Sequence, residues 1–78
     1  MKDVDLLAAL GKRIKDLRTE KGMSQQEFAA QLDYEKSNMS RMESGKVNLR
    51  IASLNKVAQV LGITLSELLD LEQKKKRK

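Results

Sequence analysis

The chain contains no cysteine and no histidine, and its aromatic side chains are Phe28 and Tyr34 alone. Without cysteine there is no disulfide to staple the fold. Without either residue the usual zinc sites and the common nucleophile–base pairs cannot be assembled. Two rings are too few for a platform that stacks single-stranded bases. No apolar run approaches the roughly 18 residues a membrane span requires. Met1 to Leu10 carries Asp3, Asp5 and only a short apolar stretch, which is not a signal peptide. A cytoplasmic protein without a cofactor or metal is expected. The remaining enzyme chemistry would need paired carboxylates in a deep pocket, and 78 residues are too few to enclose one. Such a length gives one small domain, close to the size at which a single core is marginally sufficient.

The net charge of +5 comes entirely from Lys74, Lys75, Lys76, Arg77 and Lys78; without them the chain is neutral. A polarity remains within the rest. Residues 12–50 hold nine basic and six acidic side chains, whereas residues 51–73 hold one and three. The folded part is therefore expected to have a positive side, contributed by its first half. The terminal basic run is expected to be a disordered tail, adding nonspecific phosphate contacts or aiding solubility.

What is present is helical patterning. Val4, Leu7, Leu10, Ile14 and Leu17 form one stripe of a first helix starting near Asp3 or Asp5 and ending at Gly22. The charges of Lys12, Arg13, Lys15 and Arg18 fall elsewhere around it, where solvation is the default. Ser24 and Glu27 have the spacing of a capping box and open a second helix, with Phe28 and Leu32 one turn apart. Asp33 tolerates left-handed backbone and marks a turn. A third helix follows and stops at Gly45. Ile51, Leu54, Val57, Ala58 and Leu61 pattern a fourth, closed by Gly62. Thr64 and Glu67 form a second capping box and open a fifth, with Leu65, Leu68 and Leu69 expected to pack on the core.

The third helix carries the functional signal. At about 100° per residue, Met39, Met42 and Glu43 gather on one side. Ser37, Ser40, Arg41 and Ser44 fall opposite, with Lys36 at the edge and Asn38 on the other flank. That outer face has no large apolar group and suits a major groove. There Arg and Lys donate to guanine, Asn pairs with adenine, and Ser contacts base edges or phosphate.

The residues Ser24-Gln25-Gln26-Glu27-Phe28-Ala29 and Met39-Ser40-Arg41-Met42-Glu43-Ser44-Gly45-Lys46 resemble the phage repressor and Cro type of helix-turn-helix domain. The likeness continues through Asn48, Leu54, Val57-Ala58 and Leu61-Gly62-Ile63-Thr64-Leu65 to Glu67-Leu68-Leu69. It implies an all-α, compact five-helix domain over residues 12–69, whose second and third helices form the helix-turn-helix. Residues 1–11 would extend the first helix, and residues 70–78 would form the tail. The resemblance further implies a phosphate contact from Gln25, aided by the helix N-terminus. It also implies an ion pair between Arg18 and the inward-facing Glu43, with a structural role. Ala29 would be small because the two helices cross there.

Three positions depart from the family pattern. Asp33 stands where Gly is usual, and Glu35 replaces the usual Ser or Thr cap of the third helix. Glu35 either accepts from a cytosine amino group or is merely tolerated beside DNA. Leu49 stands where a Pro is often seen. Lys46 and Asn48 are candidate backbone contacts, followed by Arg50; a solvated loop is the alternative. Val60, Ile63, Leu69 and Leu71 are either ordinary apolar residues or a homodimer seam. Such a seam would set two reading helices about 34 Å apart on an inverted repeat.

The leading expectation is a DNA-binding transcriptional regulator, a dimeric repressor acting by occupying a promoter. The rival readings are an antitoxin-like or bridging module whose main partner is a protein, and a nonspecific nucleic-acid binder driven by the tail.

Overall fold

A computed structural model describes residues 2–71, without the side chains of residues 3 and 4. The readings of Val4 as a core residue and of the basic run as a disordered tail therefore lie outside the described residues. Five helices follow in order: α1 (Asp3–Glu20), α2 (Gln25–Leu32), α3 (Lys36–Glu43), α4 (Ile51–Leu61) and α5 (Leu65–Leu68). No strand occurs among the described residues.

Three helix boundaries have a plain local cause, the starts of α2 and α5 and the end of α2. The Ser24 hydroxyl accepts from the Glu27 amide at 3.0 Å while the Glu27 carboxylate accepts from the Ser24 amide at 2.8 Å. Thr64 and Glu67 repeat this reciprocal cap on α5. Such a cap is worth about 1 kcal/mol, which matters for helices as short as α2 and α5. Helix α2 ends where Asp33 turns left-handed, at φ 61°. There the Tyr34 amide donates back to the Ala29 carbonyl at 2.8 Å. The chain accepts an αL aspartate where glycine would be less strained.

One core lies between the helices. Leu10 and Ile14 of α1, Phe28, Ala29 and Leu32 of α2, and Met39 and Met42 of α3 are buried with Leu54, Val57, Ala58, Leu61 and Leu68. Leu17, Tyr34 and Leu49 pack partly buried against them, so Leu49 adds an apolar contact.

Two expected core residues lie elsewhere. Ile51 is 63% exposed and Leu69 is 39% exposed. At about 100° per residue, Ile51 sits about 70° from the centre of the face made by Leu54, Val57, Ala58 and Leu61. It is also the first residue of α4, with no further turn before it. Leu69 follows the last residue of α5, where its backbone has left helical geometry. Leu68 takes the inward place beside it and is fully buried.

Backbones also meet closely. A Cβ on Gly11 would lie 2.5 Å from the Glu43 carbonyl oxygen and 2.7 Å from that of Met42. The last turn of α3 therefore rests directly on the backbone of α1, and only glycine at position 11 permits it.

Candidate nucleic-acid interface

The inner face of α3 is held by burial. Met39 is fully covered, Met42 nearly so, and the Glu43 carboxylate lies inside the protein. An unpaired carboxylate there would be costly, and three donors meet it. Arg18 Nε lies 2.6 Å from Glu43 Oε2, and its Nη2 lies 3.1 Å from Oε1. The Gln25 amide nitrogen donates to the same Oε1 at 2.9 Å. Arg18 also donates through Nη1 to the Met23 carbonyl at 2.6 Å. One bidentate pair thus ties α1 to α3, and its two partners add the approach to α2 and the first residue of α2. Among the described residues no buried side-chain polar atom lacks a partner.

With the inner face fixed, the opposite side of α3 is exposed. Lys36, Ser37, Ser40 and Arg41 are all solvent-facing, and Asn38 is half-buried on the flank. Ser44 shares this side, but its hydroxyl donates to the Ser40 carbonyl at 2.9 Å. Glu35 occupies the N-cap position of α3 and is exposed, and its side chain makes no capping bond. Its carboxylate is therefore not engaged by its own helix. After α3, Lys46, Asn48 and Arg50 are exposed. Gln25 is half-buried at the start of α2.

The basic residues divide by what they do. The side chains of Lys36, Arg41, Lys46 and Arg50, like those of Lys2, Lys15 and Lys21, have no hydrogen-bond or ion-pair partner among the described residues. Four others serve the fold. Arg18 pairs with Glu43, and Lys12 with Asp16 at 2.8 Å. Arg13 reaches the end of α5 and donates to the carbonyls of Glu67 at 2.6 Å and Leu68 at 3.3 Å. Lys56 of α4 donates to the Leu32 carbonyl at the end of α2, at 3.2 Å. Neither α2 nor α5 carries a basic residue in its own last turn. Both receive a cation from another helix, where the partial negative charge of the helix end favours it.

Sequence reasoning placed Arg13 among solvated charges and did not single out Lys56, Gly11 or the Gln25–Glu43 bond. Only Gly11 had a local signal, since glycine inside a helix costs about 1 kcal/mol relative to alanine and needs a reason. Among the described residues no three acidic, histidine or cysteine side chains could hold a metal ion. Among the described residues no helix is long and apolar enough to cross a membrane.

The arrangement is a short helix pair whose second member rests on a buried face and turns polar, partly cationic side chains outward, as DNA-reading helices do. Residues 13–74 match the family model of the Cro/C1-type HTH DNA-binding domain. The chain belongs to that family, and its members are DNA-binding regulators. The control protein C.MunI of Mycoplasma sp. is 44% identical over 71 residues, covering 88% of this chain and 96% of that protein. The solved structure of the restriction-modification controller protein C.AhdI from Aeromonas hydrophila is similar with a TM-score of 0.75 and 34% identity. That match covers 80% of this chain and 94% of the other. SinR, a master regulator for biofilm formation solved in complex with DNA, is 40% identical with a TM-score of 0.70. Coverage there is 78% of this chain and 98% of the other.

Proposed function

We propose that this chain is a cytoplasmic, sequence-specific repressor that binds double-stranded DNA as a homodimer, with α3 in the major groove. The carrying observation is the split of α3 into a face locked by Met39, Met42 and the Arg18–Glu43 pair, and an exposed face. Arg41 and Lys36 read guanine, Asn38 pairs with adenine, and Ser37 and Ser40 contact base edges or phosphate. Glu35, exposed and uncommitted to a cap, accepts from a cytosine amino group. Gln25, Lys46 and Asn48 hold the phosphate backbone and set the register of the reading helix.

The second copy docks through Val60, Ile63, Leu69 and Leu71. Leu69 is exposed, and the other three are half-buried against the core. A twofold axis there presents two reading helices to an inverted repeat. Bound over a promoter, the dimer blocks transcription sterically, with no cofactor. The likeness to two control proteins over nearly their whole length supports restriction–modification genes as the regulated class.

Selection of bound sequences from random duplex DNA tests this reading. It should enrich two inverted half-sites with centres about 34 Å, one helical turn, apart. Sedimentation at rising concentration should show a dimer that Leu69→Glu weakens. Failure to enrich any sequence would overturn the base-reading role, and a single half-site bound by a monomer would overturn the dimer.

A further inference from the structure

Gly45 carries the chain out of α3, and the backbone of α1 lies directly against it. Its φ is +77°. The Gly45 and Lys46 amides donate to the Met42 and Arg41 carbonyls at 3.1 and 2.9 Å, the pattern of a glycine helix stop. A Cβ on Gly45 would lie 2.8 Å from Ala8 Cα, 2.9 Å from Ala8 N and 3.0 Å from the Leu7 carbonyl carbon. Gly62 ends α4 through the same device, at φ +75°, with the Gly62 and Ile63 amides donating to Gln59 and Ala58. There, among the described residues, a Cβ would meet only the flexible Lys21 ammonium, at 3.6 Å. The two stops share a backbone shape and differ in what lies against them. The first turns of α1 have little else to order them. Lys2, at the N-cap position, makes no side-chain capping bond. The buried core begins at Leu10, whereas Asp5, Leu6 and Ala8 are exposed and Leu7 is half-buried. The family match begins at residue 13, so Leu7 and Ala8 lie before it.

We infer that the first turns of α1, residues 3–8, are a positioning element for DNA binding: their backbone seats Gly45 and so aims the loop that carries Lys46 and Asn48. The inference rests on the proposed phosphate roles of Lys46 and Asn48 and adds to them the element that presents them. Ala8 and Gly11 stand three residues apart on one face of α1. Gly11 receives the Met42 and Glu43 carbonyls, and Ala8 receives Gly45. Backbone therefore meets backbone along one strip of α1, from the last turn of α3 to the residue that leaves it. Lys46 follows Gly45 directly, and its exposed side chain has no partner among the described residues. Its direction is set by the chain it leaves, and that chain rests on α1. A loop already held in place needs less ordering when it meets phosphate.

The test uses the full chain and a duplex enriched by the selection described above, at a temperature where circular dichroism shows each variant folded. Two paired variants are compared, Asp5→Ala with Leu6→Ala and Asp5→Gly with Leu6→Gly. Both remove the same exposed side chains and the same charge and leave the core intact, but only the glycine pair frays the helix. The glycine pair should bind about tenfold more weakly than the alanine pair, the cost of ordering the two loop side chains at binding. Lys46→Ala with Asn48→Ala should cost its full factor in the alanine pair and little in the glycine pair. Equal affinity of the two pairs overturns the positioning role. A full Lys46 and Asn48 factor in the glycine pair also overturns it, and leaves their phosphate contacts standing. No loss from Lys46→Ala with Asn48→Ala in the otherwise unaltered chain overturns the phosphate reading, and the inference with it. If the glycine pair does not fold, thermal melts of Gly45→Ala and Gly62→Ala decide. Gly45→Ala should melt about 4 °C or more below Gly62→Ala, because its methyl alone is forced onto backbone. Equal melting temperatures overturn the contact between Gly45 and α1.

Discussion

Gly11→Ala sets two magnitudes of opposite sign against each other. In an ordinary helix interior the change stabilises by about 1 kcal/mol, because glycine carries more backbone entropy. Here the new methyl carbon would sit 2.5 Å from the Glu43 carbonyl oxygen, where ordinary contact begins at 3.4 Å. The last turn of α3 would have to retreat by about 0.9 Å, the difference between those two distances. The obstructing atoms are backbone and cannot rotate aside. Overpacking of this kind costs about 1–3 kcal/mol and occasionally more. Retreat also stretches the Arg18–Glu43 contacts, so the upper part of that range applies. After the helix gain is subtracted, the variant should be destabilised by about 1–2 kcal/mol. For a domain of this size that lowers Tm by about 4–16 °C.

Thermal melts followed by far-ultraviolet circular dichroism measure the shift. Gly22→Ala is the comparison, because its methyl would meet nothing within 4 Å and only its φ of +76° is strained. DNA affinity supplies a second readout. Displacing the C-terminal end of α3 should weaken binding beyond the change in folded fraction, whereas Gly22→Ala should not. A Gly11→Ala protein that melts at or above the wild-type temperature would refute the close approach and the reasoning built on it.

Glu43→Ala alone strands a buried guanidinium and should cost about 3–5 kcal/mol, whereas Arg18→Met with Glu43→Leu should be nearly neutral in stability. Denaturant unfolding of the single and double variants distinguishes these outcomes, and equal losses would contradict the paired-charge account. Asp33→Gly relieves the left-handed aspartate and should stabilise by about 1 kcal/mol, visible as a higher urea midpoint at unchanged slope. Lys56→Met removes the cation from the end of α2. It should cost no more than about 1 kcal/mol, and a larger loss in urea unfolding would mean that the contact does more than cap. Ending the chain at Gln73 should leave sequence selectivity intact and flatten the salt dependence of binding by about 0.9 for each phosphate contact the tail had made. Abolished selectivity would instead make the tail the binding element.

The parts of the fold with a local cause were legible in the residues. Both capping boxes are set by two side chains three residues apart, and they formed as the spacing implied. The inward Met39, Met42 and Glu43 follow from angle alone. The Arg18–Glu43 pair followed from family resemblance, supported by the cost of leaving Glu43 unpaired inside. What escaped was decided by position along an axis or by distant chain. Periodicity gives the angle of Ile51 around α4 but not that α4 starts before its neighbours cover it. Arg13 meets the end of α5 across 54 and 55 residues of sequence, which no local pattern encodes. Gln25 was assigned outward, and its bond inward to Glu43 became visible only when α2 and α3 were set side by side. The exposed face of α3 was legible because its requirement is negative: nothing on it has to pack.

The most direct measurement is the binding preference of Arg41→Ala at each position of the selected duplex, compared with wild type. If Arg41 reads a base edge, the variant should lose about 1–3 kcal/mol of discrimination at one position of each half-site. The other positions should keep theirs, and binding to random duplex should be less affected. Equal weakening toward selected and random DNA, with the preference at every position preserved, would contradict the claim that α3 reads sequence.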